Sequence, residues 1–241
     1  MDKQTPQSAE IHPGPGFRIA SDFPRPNVNF REMFADFSCA DISDQLNRLY
    51  GVESSIHCIA GAKQRLIGTA CTVKVFPGDN LMVHKALDIA KPGDVVVIDA
   101  GGSIKNAVLG DIISTKAKHR GIGGFVVDGY IRDADAIREL DFPVYARGET
   151  LIGPLHRGPG EINYPINCGG TVVLPGDIIV ADIDGVVVIP SAYITTLHNR
   201  LLDLKQRSAT YLAAVKRGEF SNSWVDSILE RTKCEFDSRV G

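Results

Sequence analysis

The sequence has few cysteines and no pattern that would use them as ligands or cross-links. Its five cysteines are scattered, and no two form a CxxC pair: Cys39, Cys58, Cys71, Cys168 and Cys234. An odd, scattered set disfavours a disulfide framework or a cysteine-bound zinc site and favours a reducing compartment. The polar, proline-rich stretch "MDKQTPQSAEIHPGPG" lacks the apolar segment of a signal peptide. The expected location is therefore the cytoplasm.

Long apolar runs and an excess of positive charge are also missing. No apolar run approaches the roughly 20 residues that a membrane-spanning helix needs, so no membrane partner is expected. Lysine and arginine number 26 against 29 aspartates and glutamates, which gives a formal net charge of −3. This balance leaves no excess of positive charge that would attract nucleic acid, so a nucleic-acid partner is not expected. With 44% hydrophobic and 23% charged residues, the composition is typical of a globular protein.

The chain divides into three parts by pattern. Residues 1–27 contain five prolines and little periodicity, which predicts an extended N-terminal arm. Residues 28–220 alternate β-rich and helical patterns and form the predicted main domain, which includes a long amphipathic helix over residues 191–219. Residues 221–241 are predicted to be a C-terminal tail.

The middle of the chain alternates strand and helix. The run "DVVVIDA" (residues 94–100) predicts a strand, followed by a loop "GGSIKNA", a helix over residues 108–120 and a strand in "GGFVVDG". This order calls for parallel strands joined by a crossover helix. Residues 168–190 instead predict consecutive strands with tight turns, typical of an antiparallel layer. The expected fold class is α/β, with a central parallel sheet, a second antiparallel β layer and flanking helices.

An acid and an Arg-Asp pair are separated by twenty residues around this unit. Asp111 lies near the start of the predicted helix, and Arg132 and Asp133 follow the second strand. In a right-handed βαβ unit, the start of the helix and the end of the second strand lie at the same edge of the sheet. The spacing therefore predicts that these three residues meet at one rim.

The residue types at this rim suit an α-keto acid. Because Gly110 has no side chain, a carboxylate has access to the first-turn amides of four residues: Gly110, Asp111, Ile112 and Ile113. Arg132 offers a planar fork for a carboxylate or an enolate oxygen. Asp133, and Asp111 through water, are hard oxygen ligands of the kind that Mg²⁺ prefers.

A purely structural explanation of the same residues is open. Asp111 would only favour the N-terminus of its helix, and Arg132 and Asp133 would cap the following helix, "DADAIREL". His84 is expected in the core or an interface. Four further histidines show no ligand-type spacing: His57, His119, His156 and His198. Because the HExxH motif is also absent, a histidine-bound zinc site is disfavoured.

At the rim residues the sequence resembles the family that contains regulator of ribonuclease activity A (RraA) and 4-hydroxy-4-methyl-2-oxoglutarate aldolase. The aldolase branch has an Asp, a twenty-residue gap and Arg-Asp, and Asp111, Arg132 and Asp133 match this pattern. Supporting stretches include "PGDNLMVHKAL", "VVDGYIRD", "INCGGTVVLPGD" and "ADIDGVVVIP". The resemblance covers roughly residues 35–220. Some relatives were labelled menaquinone methyltransferases, but this chain has no convincing glycine-rich loop for S-adenosylmethionine, so we reject that label.

The resemblance implies a β/β/α swivelling-type catalytic domain and a class II, metal-dependent pyruvate aldolase that also decarboxylates oxaloacetate. It implies Asp133 as the direct ligand of Mg²⁺, with Mn²⁺ as the alternative, and Arg132 as the group that stabilises the enolate. Asp111 would orient a metal-bound water that acts in proton transfer, the amides of residues 110–113 would bind the carboxylate, and Asn80 would line the pocket. It also implies a homo-oligomer, either a trimer or a hexamer.

One departure and two alternatives keep the function open. In the aldolase branch an acid on the C-terminal helix of a neighbouring subunit completes the site, whereas the nearest candidates here are Asp203 and the non-ionisable Gln206. This departure bears on the aldol substrate more than on the enolate chemistry. The alternative function is a non-catalytic RraA-type regulator that binds a ribonuclease or another protein. An isomerase or hydratase that passes through the same enolate is a third hypothesis.

Overall fold

The computed structural model describes residues 10–61 and 65–236. The chain forms two compact units, residues 1–198 and 199–241, and the boundary falls inside a long helix. Part of the predicted N-terminal arm, residues 1–9, lies outside the described residues. No helix in the described part is long and apolar enough to cross a membrane.

Strands and helices alternate through the first unit. The strands are β1 (Phe17–Ile19), β2 (His57–Ala60), β3 (Leu66–Val75), β4 (Val95–Ala107), β5 (Gly124–Ile131), β6 (Val144–Glu149), β7 (Gly160–Ile162), β8 (Ile166–Cys168), β9 (Thr171–Val173), β10 (Ile178–Asp182) and β11 (Gly185–Ile189). The helices are α1 (Phe30–Phe34), α2 (Cys39–Gln45), α3 (Leu81–Ile89), α4 (Asp111–His119), α5 (Ala134–Leu140), α6 (Ile194–Lys216) and α7 (Ser223–Arg231). Helix α6 confirms the predicted long helix, and α7 lies in the segment predicted as a tail.

The central sheet is mostly parallel. Its strand order is β1-β7-β3-β4-β5-β6-β2, and the β3–β4, β4–β5 and β5–β6 pairs are parallel. Helices α3, α4 and α5 connect these strands in turn, as parallel neighbours require. At the edges, β7 and β2 pair antiparallel with β3 and β6, and β1, from the predicted arm, pairs with β7.

Helices α3, α4 and α5 pack on one face of this sheet, and a second β layer packs on the other face. Strand β10 pairs antiparallel with the first part of β3 and with β11, while β8 and β9 form a separate two-stranded sheet. Alternate residues of β4 belong to two different core clusters, one with Val96 and Ile98 and the other with Val95 and Val97. A strand that is buried on both faces is expected to be a continuous apolar run, as "VVVI" is. The mixed α/β architecture with two β layers is therefore confirmed.

Two predicted boundaries were wrong. The "GGSIKNA" segment is not a loop, because β4 continues through it to Ala107 with register shifts that follow Gly101 and Gly102, both at positive φ. Helix α4 begins at Asp111 rather than at residue 108. The Val108 amide instead donates to the Tyr130 carbonyl at 2.8 Å, which keeps this segment extended beside β5.

Candidate active site

The start of α4 and the end of β5 lie against each other, as the spacing predicts. The backbone amide of Arg132 donates to the Leu109 carbonyl at 3.0 Å, which ties the segment after β5 to the residues before α4. A Cβ atom at position 110 would lie 2.5 Å from Oδ2 of Asp133 and 3.1 Å from Cγ of Arg132. Only glycine therefore allows the backbone to approach these two side chains so closely.

Asp133 has an unusual backbone and a side chain that does not cap a helix. It occupies the N-cap position of α5 with φ 57° and ψ 36°, in the left-handed region, and its side chain makes no capping hydrogen bond. The Nε atom of Arg132 lies 3.1 Å from Oδ2 of Asp133, and both side chains are 40% exposed. Left-handed backbone at a non-glycine residue is costly and is often found at functional sites. The capping explanation of Asp133 therefore fails.

The first turn of α4 offers backbone donors beside this ion pair. Oδ1 of Asp111 accepts a hydrogen bond from the amide of Ile112 at 2.7 Å. Of the four amides predicted to donate to a substrate carboxylate, the Ile112 amide therefore already has a partner. Among the described residues, the amides of Gly110, Asp111 and Ile113 have no hydrogen-bond partner. Unpaired first-turn amides and the helix dipole together favour an anion.

A cavity of about 240 Å³ lies at this rim. That is a size for a small acid rather than for a drug-sized ligand. Its lining contains all of the predicted substrate-binding residues together with five others: Asn80, His84, Leu109, Gly110, Asp111, Ile112, Ile113, Arg132, Gly153, Pro154 and His156. Asp133 is not in the lining but is joined to it through its ion pair with Arg132.

Asn80 positions the cavity wall with both ends of its amide. The residue is 2% exposed; its Nδ2 donates to the Val108 carbonyl at 2.9 Å, and its Oδ1 lies 2.6 Å from Nδ1 of His156. Val108 lies two residues before Gly110, so Asn80 connects the segment before α4 to His156. Asn80 is in the predicted place, but its polar atoms already have protein partners.

Sequence reasoning missed the contribution of the loop after β6, which supplies Gly153, Pro154 and His156. Asp79 holds this loop, since its Oδ2 accepts from the amides of Arg157 at 2.6 Å and Gly158 at 2.8 Å. One signal was available in the sequence. Because β6 is the next parallel strand, the loop that follows it must emerge at the same edge as Arg132 and Asp133.

The groups at the rim that could hold a metal ion are carboxylates. Across residues 10–61 and 65–236, no group of three or more His, Cys, Asp or Glu side chains is arranged to hold a metal ion. One or two carboxylates would suffice for Mg²⁺, which keeps several waters, but not for a structural zinc. Asp133 suits this role, because its Oδ1 has no hydrogen-bond partner in the described part of the chain while Oδ2 faces Arg132.

Known proteins are similar to this chain in sequence and in fold. The chain matches the RraA-like family (Aldolase/RraA) over residues 39–188. It is similar to a protein of Halalkalibacterium halodurans named "Putative 4-hydroxy-4-methyl-2-oxoglutarate aldolase", with 46% identity over 68% of this chain and 77% of that protein.

Two solved structures are also similar. Streptomyces coelicolor RraAS2, described as an unusual member of the RNase ES inhibitor RraA protein family, has 30% identity and a TM-score of 0.72 over 79% of this chain and 98% of its own. The RNA-processing inhibitor RraA from Thermus thermophilis has 33% identity and a TM-score of 0.58 over 63% of this chain and 91% of its own. The resemblance inferred from the Asp and Arg-Asp motif is confirmed, and the protein belongs to the RraA-like (Aldolase/RraA) family.

Proposed function

We propose that the protein is a divalent-metal-dependent lyase that works through a pyruvate enolate. It would cleave 4-hydroxy-2-keto acids, such as 4-hydroxy-4-methyl-2-oxoglutarate, and decarboxylate oxaloacetate. The observation that carries the proposal is the close approach of Gly110 to Arg132 and Asp133 beside a small cavity. The name of the Halalkalibacterium halodurans relative supports the same reaction class.

The rim binds the two ends of an α-keto acid head with different groups. The carboxylate accepts hydrogen bonds from the unpaired amides at the start of α4, aided by the positive end of the helix dipole. The keto oxygen accepts from the guanidinium of Arg132, which also lines the cavity. Donors that are already in place stabilise the charge that develops on this oxygen without rearranging during the reaction.

A divalent cation would add positive charge to that of Arg132 at the rim. Asp133 would hold it directly through Oδ1, and Asp111 would orient water around it. When bound, Mg²⁺ or Mn²⁺ would supply positive charge that stabilises the enolate. Both proposed reactions then leave the same enolate, because breaking the C3–C4 bond and losing CO₂ from oxaloacetate both place an electron pair on C3. One enolate-stabilising site therefore serves both substrates.

The similarity to RraA structures supports a second candidate, a non-catalytic regulator that binds a ribonuclease or another protein. The residues at the rim favour the enzyme. A protein-binding surface has no need for an acid, a guanidinium and free amides gathered around one small cavity.

Metal removal tests the proposed function. We expect the protein to release pyruvate from oxaloacetate with Mg²⁺, to lose this activity with a chelator and to regain it with added Mg²⁺ or Mn²⁺. Exchange of the methyl protons of pyruvate in D₂O, followed by NMR, reports enolate formation without any bond cleavage. Absence of both activities over a panel of keto acids with metal present would favour the regulator.

Gly110→Ala is expected to lower the rates of oxaloacetate decarboxylation and pyruvate proton exchange by about 100-fold while the protein stays folded. The new Cβ would fall 2.5 Å from Oδ2 of Asp133, so the carboxylate or the turn must move away from the cavity. Shifts of about 1 Å at a catalytic group have cost about 100-fold in rate. Gly51→Ala is the control, because its backbone is not in the left-handed region and a Cβ atom there would meet only Oγ of Ser43, at 3.9 Å. Full activity of Gly110→Ala, with circular dichroism unchanged, would contradict the placement of the site.

A homo-oligomer, either a trimer or a hexamer, belongs to the same proposal. Apolar side chains on the segments that line the cavity are unusually exposed, with Ile112 at 59%, Leu151 at 89% and Leu155 at 59%. A patch of this kind is typical of a surface that another subunit covers.

A further inference from the structure

Two histidines at the cavity have no role in the reaction as described so far. His84 lies on α3 and His156 in the loop between β6 and β7, and both line the cavity together with Asp111 and Arg132. Their rings meet edge to face, with centroids 5.5 Å apart and an angle of 68° between the ring planes. Both imidazole rings therefore line the same cavity as the first turn of α4.

Asn80 fixes which nitrogen of His156 carries the proton. The buried Nδ2 of Asn80 donates to the Val108 carbonyl, and the opposite amide orientation would place two oxygens against each other. Oδ1 of Asn80 therefore faces Nδ1 of His156 at 2.6 Å. Since an amide oxygen only accepts, Nδ1 holds the proton and Nε2 of the neutral ring has a free lone pair.

The surroundings of the pair disfavour a second positive charge. Arg132 already lines the cavity, and the edge-to-face contact places the two imidazoles close together. Burial lowers the pKa of His84, and the charges of Lys116 and of His156 lower it further. Both effects favour the neutral form of the His84 ring.

We propose that Nε2 of His156 is the general base for the 4-hydroxyl group in the cleavage of 4-hydroxy-2-keto acids. This inference rests on the proposed function. The base takes the hydroxyl proton, the C4–O bond becomes a carbonyl, and the C3–C4 bond breaks with its electron pair passing to the enolate of pyruvate. The enolate then takes a proton at C3 from solvent water and the imidazolium gives its proton to solvent, which yields pyruvate and restores the base. Asn80 acts as the positioning residue, because it sets the tautomer.

With this assignment a side chain of the protein removes the proton from the 4-hydroxyl group, a step that otherwise depends on metal-activated water. It also separates the two proposed reactions. Oxaloacetate loses CO₂ and has no 4-hydroxyl group, so its decarboxylation needs the enolate-stabilising rim but not His156. A residue with a merely structural role would affect both reactions alike.

The test compares both reactions in His156→Gln and His156→Ala with Mg²⁺ present. Loss of a general base typically costs about 100- to 10,000-fold; we expect a loss in this range for cleavage of 4-hydroxy-4-methyl-2-oxoglutarate. Oxaloacetate decarboxylation and pyruvate proton exchange should stay within about threefold of the wild-type rate. Imidazole added to His156→Ala should restore part of the cleavage rate. The control is His119→Gln, an exposed histidine at the end of α4, which should change neither reaction.

Three results would overturn the assignment. One is cleavage at the wild-type rate in both variants, and another is an equal loss of cleavage and decarboxylation without rescue by imidazole. The third is a wild-type protein that decarboxylates oxaloacetate but cleaves no 4-hydroxy-2-keto acid. In that third case the enolate chemistry stands while the role of His156 fails, whereas a wild-type protein without proton exchange fails the proposed function itself.

Discussion

Arg132→Ala is expected to lower the rate of oxaloacetate decarboxylation and of pyruvate proton exchange by about 100- to 1000-fold, the usual cost of removing one donor to a developing oxyanion. The guanidinium lines the cavity and lies beside the free amides of α4, where the keto oxygen would sit. Its side chain is 40% exposed and its ion pair with Asp133 is a surface pair, so the stability of the fold should change little. The loss should therefore appear in kcat while the melting temperature stays nearly constant.

Two further variants make this experiment decisive. Arg132→Lys retains the charge but not the planar fork, and it should recover only part of the rate. Arg138→Ala is the matched control. Arg138 lies on the adjacent helix α5, its side chain is 47% exposed, and it forms ion pairs with Asp135 and Glu149. If Arg132→Ala decarboxylates oxaloacetate as fast as Arg138→Ala, the enolate is formed somewhere else.

Asp133→Asn should weaken metal binding and activity by about 100-fold or more, since even partners in the outer shell of a metal site cost about 10- to 100-fold. Asparagine adopts left-handed backbone nearly as readily as aspartate does, so the geometry at φ 57° should survive. The variant thus removes the negative charge and leaves the turn in place. Binding of Mn²⁺, measured by electron paramagnetic resonance, reports this loss independently of activity.

The chain offers a close control for Asp133. Asp141 lies at the other end of α5 and also has left-handed backbone, with φ 50° and ψ 50°. Asp141→Asn should therefore bind Mn²⁺ and decarboxylate oxaloacetate at wild-type levels. Equal Mn²⁺ affinity in Asp133→Asn and the wild-type protein would remove Asp133 from the metal site.

The edge at which Asp111, Arg132 and Asp133 meet was predictable because it depends on topology. Right-handed crossovers place the start of α4 and the end of β5 at one edge, and the sequence alone identifies the strand–helix–strand order around Asp111 and Arg132. The same reasoning predicted the parallel sheet, since strands buried on both faces are continuous apolar runs. Neither prediction needed any knowledge of side-chain contacts.

The finer features depended on contacts between distant segments. The helical pattern suggested a start at residue 108, but hydrogen bonds from Asn80 and to Tyr130 hold Val108 in an extended segment. These partners lie 28 and 22 residues away in the chain. A local pattern of apolar residues carries no information about such bonds, so the boundary was missed.

The sequence by itself determined the fold class, the edge at which the site lies and the acid, guanidinium and glycine gathered there, because local periodicity and the handedness of crossovers fix them. Only the tertiary structure decided that His156 lines the cavity and that its Nδ1 contacts Oδ1 of Asn80. The physical reason is that backbone amides of the loop after β6 donate hydrogen bonds to Asp79, which is remote in sequence, and these bonds position the loop. Such bonds form only once the sheet has brought their partners together.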